Sequence, residues 1–283
     1  MKGRVALAAK ILIVLLLGAW GWASAVAAQQ AAAAPDLTDR EKEVFLRTAR
    51  IVRTQPISEG VTNSVRLTLS DGRLTHDAHF QSIDEYSAVR STNRGTETNF
   101  SDSYKHNIAA YLLDRMLGLN MVPVSVERRV GGESGAVTWW VDDVLMSERD
   151  RYVRKVSPPD APAWNNQMYV LRVFDALIYN TDRNLGNVLI EKGWRIWMID
   201  HTRAFRFQHR LPAPQALARC DRKLFASLQG LDESELRRQL RDHLNGLQLQ
   251  GLIARRDEIV RLFQERIGEQ GEDAVLYDYL ASR

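Results

Sequence analysis

Asp182, Asn187 and Asp200 are the residues of this 283-residue chain whose types and spacing point most directly to chemistry. Asn187 and Asp200 flank a segment that reads as a hairpin, so the fold can bring them together at its open end. One amide oxygen and one carboxylate suit a hard cation such as Mg²⁺ or Mn²⁺, which keeps its remaining coordination for phosphate and water. Asp182 lies five residues before Asn187, where it can accept a proton from an incoming hydroxyl or orient it. Asp, Asn and Gly are also common turn residues, and an isolated Asp-x-x-x-x-Asn carries no information. Its weight comes from a strong apolar helix before the loop and an apolar run, residues 196–199, leading into Asp200.

The elements that must position these residues follow from periodicity. Residues 164–179 carry Met168, Leu171, Leu177 and Ile178 at helical spacing. Residues 188–190 and 196–199 are strands around the turn Glu191-Lys192-Gly193. Upstream, Thr38 with Glu41 is a capping box for a helix reaching about residue 50. A polar loop spans 57–64, and Val65, Leu67 and Leu69 alternate in a strand that turns at Ser70-Asp71-Gly72 and returns over 78–83. Residues 87–101 read as a long polar loop. Ser101 and Asp102 are expected caps of a helix over 104–117, which Gly118 stops. Strands over 122–129 and 136–141 turn at Gly131-Gly132. Further helices are expected from Asp232 and Glu235 onward and over 252–267. The order is a small mixed lobe followed by a mainly helical one.

Composition is that of a globular chain, with 45% apolar and 26% charged residues, and the element order makes it α+β. Residues 1–28 hold Lys2, Arg4, Lys10 and no acid, and 11–28 are uncharged and mostly apolar. With Val26-x-Ala28 as a cleavage site this reads as a secretory signal, the rival being an uncleaved membrane anchor. Residues 29–37 form a linker, 38–143 the small lobe and 144–283 the large lobe. Without the leader, 35 basic residues balance 35 acidic ones, which argues against a nucleic-acid surface. Cys220 is the only cysteine, so no intrachain disulfide can form. His79, His106, His201, His209 and His243 have no zinc-ligand spacing.

The run Asp182-Arg183-Asn184-Leu185-Gly186-Asn187, followed by Ile199-Asp200-His201, resembles the catalytic and metal-binding segments of the atypical kinase superfamily. That superfamily includes phosphatidylinositol 3/4-kinases, HipA-type toxin kinases and the secretory-pathway kinases of the Golgi lumen. Residues 108–126 and 194–207 also resemble a group of exported bacterial proteins. The resemblance implies a two-lobed protein-kinase-like fold, with the residue 188–199 hairpin as its catalytic hairpin. It makes Asp182 the catalytic aspartate and Asn187 and Asp200 the ligands of Mg²⁺ or Mn²⁺. ATP or another nucleotide would be the cofactor, covered by the loop containing Gly60, Thr62 and Asn63.

The departures are as informative. Matching Ala78-His79-Phe80 to the family's third strand puts Gln81 at the phosphate-binding lysine and Asn107 at its partner glutamate. Losing both together is coherent, since either charge alone would be buried unpaired. It leaves three readings: Lys105 or Arg90 reaches in, the nucleotide binds differently, or the domain is a pseudokinase. The expected function is an exported phosphotransferase, acting on a protein, glycan or small molecule in the periplasm or outside the cell. The alternatives are a noncatalytic binding protein on the same scaffold and a metal-dependent phosphate-processing enzyme. Membrane association is expected only if the leader stays uncleaved. Arg203, Arg206, Arg210 and Arg219 are potential contacts for an acidic substrate, and Arg183 is expected to shape the loop.

Overall fold

The computed structural model describes residues 37–57, 64–92, 95–180 and 182–280. The expected leader, most of the linker, and Gly60, Thr62 and Asn63 lie outside the described residues. Among the described residues no helix is long and apolar enough to cross a membrane.

Thr38 caps α1 (Asp39–Thr48), and the Glu41 carboxylate accepts from the Thr38 backbone N–H at 2.8 Å, completing the capping box. The chain then forms β1 (Arg50–Pro56), β2 (Val65–Ser70) and β3 (Thr75–Gln81). Next come β4 (Asp84–Thr92), β5 (Gly95–Ser103), α2 (Lys105–Met116), β6 (Ser125–Val130) and β7 (Glu133–Trp139). The main sheet is antiparallel in the order β1-β2-β3-β7-β6. Its register places Phe80, Val137 and Val126 side by side on one face, with Leu67 opposite Ala78. Phe45 and Leu46 of α1 join this buried row, each large apolar side chain contributing about 1.5–3 kcal/mol on burial. The opposite face carries Arg66, His79, Thr138 and Gln81, and Gln81 meets α2 there. Gly131 and Gly132, with φ of 60° and 94°, make the two-residue turn between β6 and β7; both positions need positive φ, which glycine adopts without strain.

Residues 87–92 and 95–101, expected as a polar loop, lie in β4 and β5, which pair as a hairpin from Asp84 opposite Ser103 to Thr92 opposite Gly95. Its sequence has no apolar alternation because almost none of it enters the core. Phe100 is its buried anchor, clamped by the guanidinium groups of Arg90, Arg203 and Arg206. The expected caps of α2 are also corrected. Tyr104 occupies the cap position with no side-chain cap bond, and Ser101 and Asp102 belong to β5. β1 was not expected; its polar residues 53–55 sit on an outer strand of the sheet.

The second lobe contains β8 (Val144–Ser147), α3 (Glu148–Val153), α4 (Ala161–Ile178), β9 (Val188–Glu191) and β10 (Ile196–Met198). It continues with β11 (Cys220–Asp221), α5 (Arg222–Gly230), α6 (Glu233–Leu240), α7 (Gly246–Gln270), α8 (Glu272–Val275) and β12 (Leu276–Tyr277). The strands are few and short, so this lobe is mainly helical. Asp160 caps α4, and Pro162 occupies its first turn, where a missing N–H costs nothing. Gln167 of α4 donates to the Trp194 carbonyl at 2.9 Å and accepts from Ile196 N at 3.0 Å. One buried helix residue thereby fixes the turn of the β9–β10 hairpin. Arg255 of α7 is fully buried and donates to the carbonyls of Leu177, Arg206 and Gln208. It joins the end of α4 to the chain that follows the hairpin.

Candidate active site

The loop after α4 and the two ends of the β9–β10 hairpin carry the three singled-out residues. α4 ends at Tyr179 in the left-handed region, with φ of 50°. The Asn180 side-chain oxygen then accepts from Asp182 N at 3.0 Å and turns the chain away from the helix axis. Arg183 locks this loop. Its guanidinium pairs bidentately with Asp175 of α4, at 2.9 and 3.0 Å. The remaining nitrogen donates to the carbonyls of Asn187 at 3.0 Å and Ile199 at 2.7 Å. One side chain therefore fixes the loop to α4 and holds together the residues at the open end of the hairpin, as architecture. Ile199 N also donates to the Asn187 carbonyl at 3.1 Å. This brings the backbone of Asn187 beside that of Ile199, immediately before Asp200.

Asp200 takes φ of 55°, a conformation an aspartate tolerates better than a branched residue does. Its surface is open to solvent, yet protein surrounds it on the scale of the cleft. That desolvation raises its pKa above the ordinary value; the Thr202 hydroxyl and Arg183 oppose the rise, and the Asp182 carboxylate adds to it. Thr202 donates to Asp200 at 3.2 Å. Asp102, at the end of β5, lies within electrostatic reach of Asp200 and is pushed up chiefly by burial. Its Oδ1 is buried without a hydrogen-bond partner. Asp102 is a site residue that sequence reasoning missed by assigning it to a helix cap. Its position on the polar run Ser101-Asp102-Ser103, just before the helix bearing Asn107, was the available signal.

The structure brings Gln81 and Asn107 together. Asn107 Nδ2 donates to Gln81 Oε1 at 2.9 Å, and both side chains are buried. The other end of the Asn107 amide accepts from His201 N at 2.7 Å. This neutral bridge ties β3 through α2 to the residue after Asp200. Lys105 and Arg90 are engaged elsewhere: Lys105 bonds Asp84 at 2.8 Å, and Arg90 faces Glu85 at 3.4 Å. Arg203 is a cation beside the Asp182 loop, with Nη1 3.6 Å from Asp182 Oδ2.

His201 is buried and packs edge-on against Phe174, as a structural histidine. His106 is also buried. Its Nδ1 donates to the Thr202 carbonyl at 2.6 Å, which leaves Nε2 to accept from Gln248 at 2.9 Å. Both neighbours suit the neutral ring, and burial lowers its pKa from 6.5 to about 4. A depressed histidine pKa makes protonation favour the unfolded chain, so its contribution is complete above pH 6.5 and lost as pH falls toward 4. Urea unfolding of His106→Gln should lose less stability between pH 7.5 and pH 5 than the wild type does, by about 2 kcal/mol. Equal losses would contradict this assignment.

Asn187 Nδ2 is buried without a partner. A half-turn of the amide exchanges nitrogen and oxygen at that place, so Asn187 fits an amide-oxygen ligand. An amide oxygen and a carboxylate, as at Asn187 and Asp200, are donors of the hard-oxygen type that Mg²⁺ or Mn²⁺ prefers. Among the described residues no group of three or more His, Cys, Asp or Glu side chains is arranged to hold a metal ion. A cavity of about 720 Å³ opens elsewhere, between Lys42, Leu119, Trp139, Trp140 and Trp197, and includes none of Asp182, Asn187 and Asp200. Trp139, the last residue of β7, stacks on His76 at 3.8 Å, and Trp140, just past the strand, lies under Arg66.

No protein-family model matches the chain, and no curated protein matches it in sequence. Solved structures do match its fold. A structure of hydra Fam20 with sugar aligns with a TM-score of 0.65 and 16% identity, covering 87% of this chain and 94% of that one. The Golgi casein kinase with Mn/ADP bound aligns with a TM-score of 0.60 and 15% identity, over 85% of this chain and 80% of that one. A further structure of the Golgi casein kinase gives 0.58 and 14%, over 85% and 78%. The β-rich first lobe and mainly helical second lobe are therefore those of the bilobal kinase-like fold that these structures share.

Proposed function

We propose that the protein is an exported phosphotransferase that uses a metal-bound nucleotide, with Asn187 and Asp200 as the metal ligands and Asp182 as the catalytic aspartate. The observation that carries this reading is that Arg183 ties the carbonyl of Asn187 to that of Ile199, the residue before Asp200, while Asp182 lies within electrostatic reach of Asp200 and Asn187 Nδ2 is buried without a partner. The Mn/ADP complex of the Golgi casein kinase, which has the same fold, supports the choice of cofactor. A bound divalent cation supplies charge neutralisation on the donor's phosphates. Asp200 and Asn187 would be the residues that hold it. Asp182 is half-exposed at the cleft and accepts the proton of the acceptor hydroxyl as the phosphoryl group arrives. Gly60, Thr62 and Asn63 precede β2 and would cover the phosphates. Gln81 and Asn107 form a neutral pair that reaches the second lobe through His201 N. The lobe boundary is placed between residues 143 and 144. Export rests on the basic-apolar leader, and the acceptor is a protein, glycan or small molecule outside the cytoplasm.

The neutral Gln81–Asn107 bridge favours a second reading, a pseudokinase that binds a partner without transfer. Incubation of the full chain with γ-labelled ATP and Mn²⁺ or Mg²⁺ separates the two. The phosphotransferase releases label, or incorporates it into the chain, only when metal is present. No metal-dependent label movement above a nucleotide-only control would leave the second reading standing.

A further inference from the structure

The phosphotransferase reading leaves one charge unaccounted for. Kinase-type sites oppose the donor's phosphates with a cation from the protein as well as with metal. Here that place on β3 holds Gln81, already bonded to Asn107, whose amide is in turn committed to His201 N. The first lobe does not replace the charge from Lys105 or Arg90, which are bonded to Asp84 and paired with Glu85.

The chain after Asp200 holds a cation in the right place. Arg203 lies 3.6 Å from Asp182 and within electrostatic reach of Asp102. Glu97 of β5 fixes it, with Oε2 accepting from Arg203 Nη2 at 3.0 Å. The other Glu97 oxygen takes Arg206, which is almost fully buried and donates to the Asn99 carbonyl at 2.7 Å. Arg206 is thus the anchor of the β4–β5 hairpin on the second lobe. Arg203 keeps 28% of its side-chain surface accessible and sits over Phe100. The pair is a carboxylate from the first lobe holding a cation at the catalytic aspartate. Its components come from different segments than Gln81 and Asn107, but its charge arrangement is that of the missing lysine and glutamate.

We infer that Arg203, held by Glu97 of the β4–β5 hairpin, is the cation that binds the terminal phosphoryl group of the donor. This inference rests on the phosphotransferase reading of the same site. A planar guanidinium suits the task, since it can give one edge to the Glu97 carboxylate and another to a phosphoryl oxygen. Its proximity to Asp182, rather than to Gln81, places it at the end of the donor where transfer occurs. The β4–β5 hairpin is then the element that positions this cation.

The test compares two probes on the full chain: Mn–ADP and the Mn complex of a non-hydrolysable ATP analogue. Arg203→Gln should weaken the triphosphate analogue about 10- to 100-fold, the range expected for one charge-assisted hydrogen bond. It should weaken Mn–ADP by less than about 3-fold, a difference that general loosening of the fold would not produce. Glu97→Gln preserves the side chain's size and should show the same preference in smaller measure; it carries the test if Arg203→Gln does not fold. Equal effects on the two probes, or wild-type affinity for the analogue in both variants, would overturn the inference. A wild-type chain that binds neither probe would overturn the phosphotransferase reading itself.

Discussion

Asp200→Ala should abolish metal-dependent nucleotide binding, whereas Asp182→Asn should keep it and lose turnover about 10²–10⁴-fold. The two carboxylates share a cleft but have different surroundings. Asp200 is crowded by protein, sits beside Asp102 and has Thr202 as its direct hydrogen-bond donor. That concentration of negative charge in a desolvated place favours a bound cation. Asp182 is more open, is held by its backbone to Asn180, and faces Arg203 with its carboxylate. The proposed phosphotransferase assigns it to the transfer step rather than to holding the donor. Calorimetric titration with Mn–ADP and a label-transfer assay on the same preparations separate the roles. Loss of binding in Asp182→Asn, or retained binding in Asp200→Ala, would reverse the assignment. The unfolding temperature of each variant should stay near that of the wild type, because neither carboxylate carries a buried ion pair.

Arg183→Ala should destabilise the protein by roughly 3–5 kcal/mol and also remove turnover. The Arg183 and Asp175 side chains are only 12% and 13% exposed, so deleting the cation leaves a nearly buried carboxylate without its partner. The same deletion frees the carbonyls of Asn187 and Ile199 and lets the two ends of the hairpin separate. Stability and geometry can be distinguished with Arg183→Met combined with Asp175→Leu. Replacing both members of the pair by apolar groups removes the unpaired charge, so chemical denaturation should show most of the lost stability restored. Turnover should remain absent, because methionine cannot bridge Asn187 and Ile199. Recovery of turnover in the double variant would show that Arg183 does not position the site.

Much of the local structure around the candidate site was legible in the sequence, and the reasons differ by residue. The Asp182–Asn187 loop stood out because a periodic helix precedes it and an apolar hairpin follows it. These are local patterns, and the structure places α4, β9 and β10 over nearly the same residues. The contact between Gln81 and Asn107 followed from the kinase resemblance, which pairs those two positions, and they meet at 2.9 Å. Thr38 and Glu41 lie three residues apart and formed the expected cap.

The β4–β5 hairpin was not legible. Its strands present polar side chains on both faces, so the alternation that reveals a half-buried strand is absent. What holds it is Glu97 with Arg203 and Arg206, across more than a hundred residues of chain, and the cations stacked on Phe100. No local period encodes such pairings. Asp102 was misread for a related reason: an acid just before a helix looks like a cap, and only the fold shows its carboxylate beside Asp200. Arg203 was visible as one of several arginines after Asp200, but its partner Glu97 lay in the stretch read as a loop.

The central claim is that Asn187 and Asp200 hold a divalent cation together with a nucleotide. Electron paramagnetic resonance of Mn²⁺ tests it directly, because free aqueous Mn²⁺ gives a sharp signal that is lost on binding. The full chain with ADP should remove one equivalent of that signal, and Asp200→Ala under the same conditions should leave it intact. An undiminished free Mn²⁺ signal with the wild-type chain and ADP, or an equal loss with Asp200→Ala, would contradict the account.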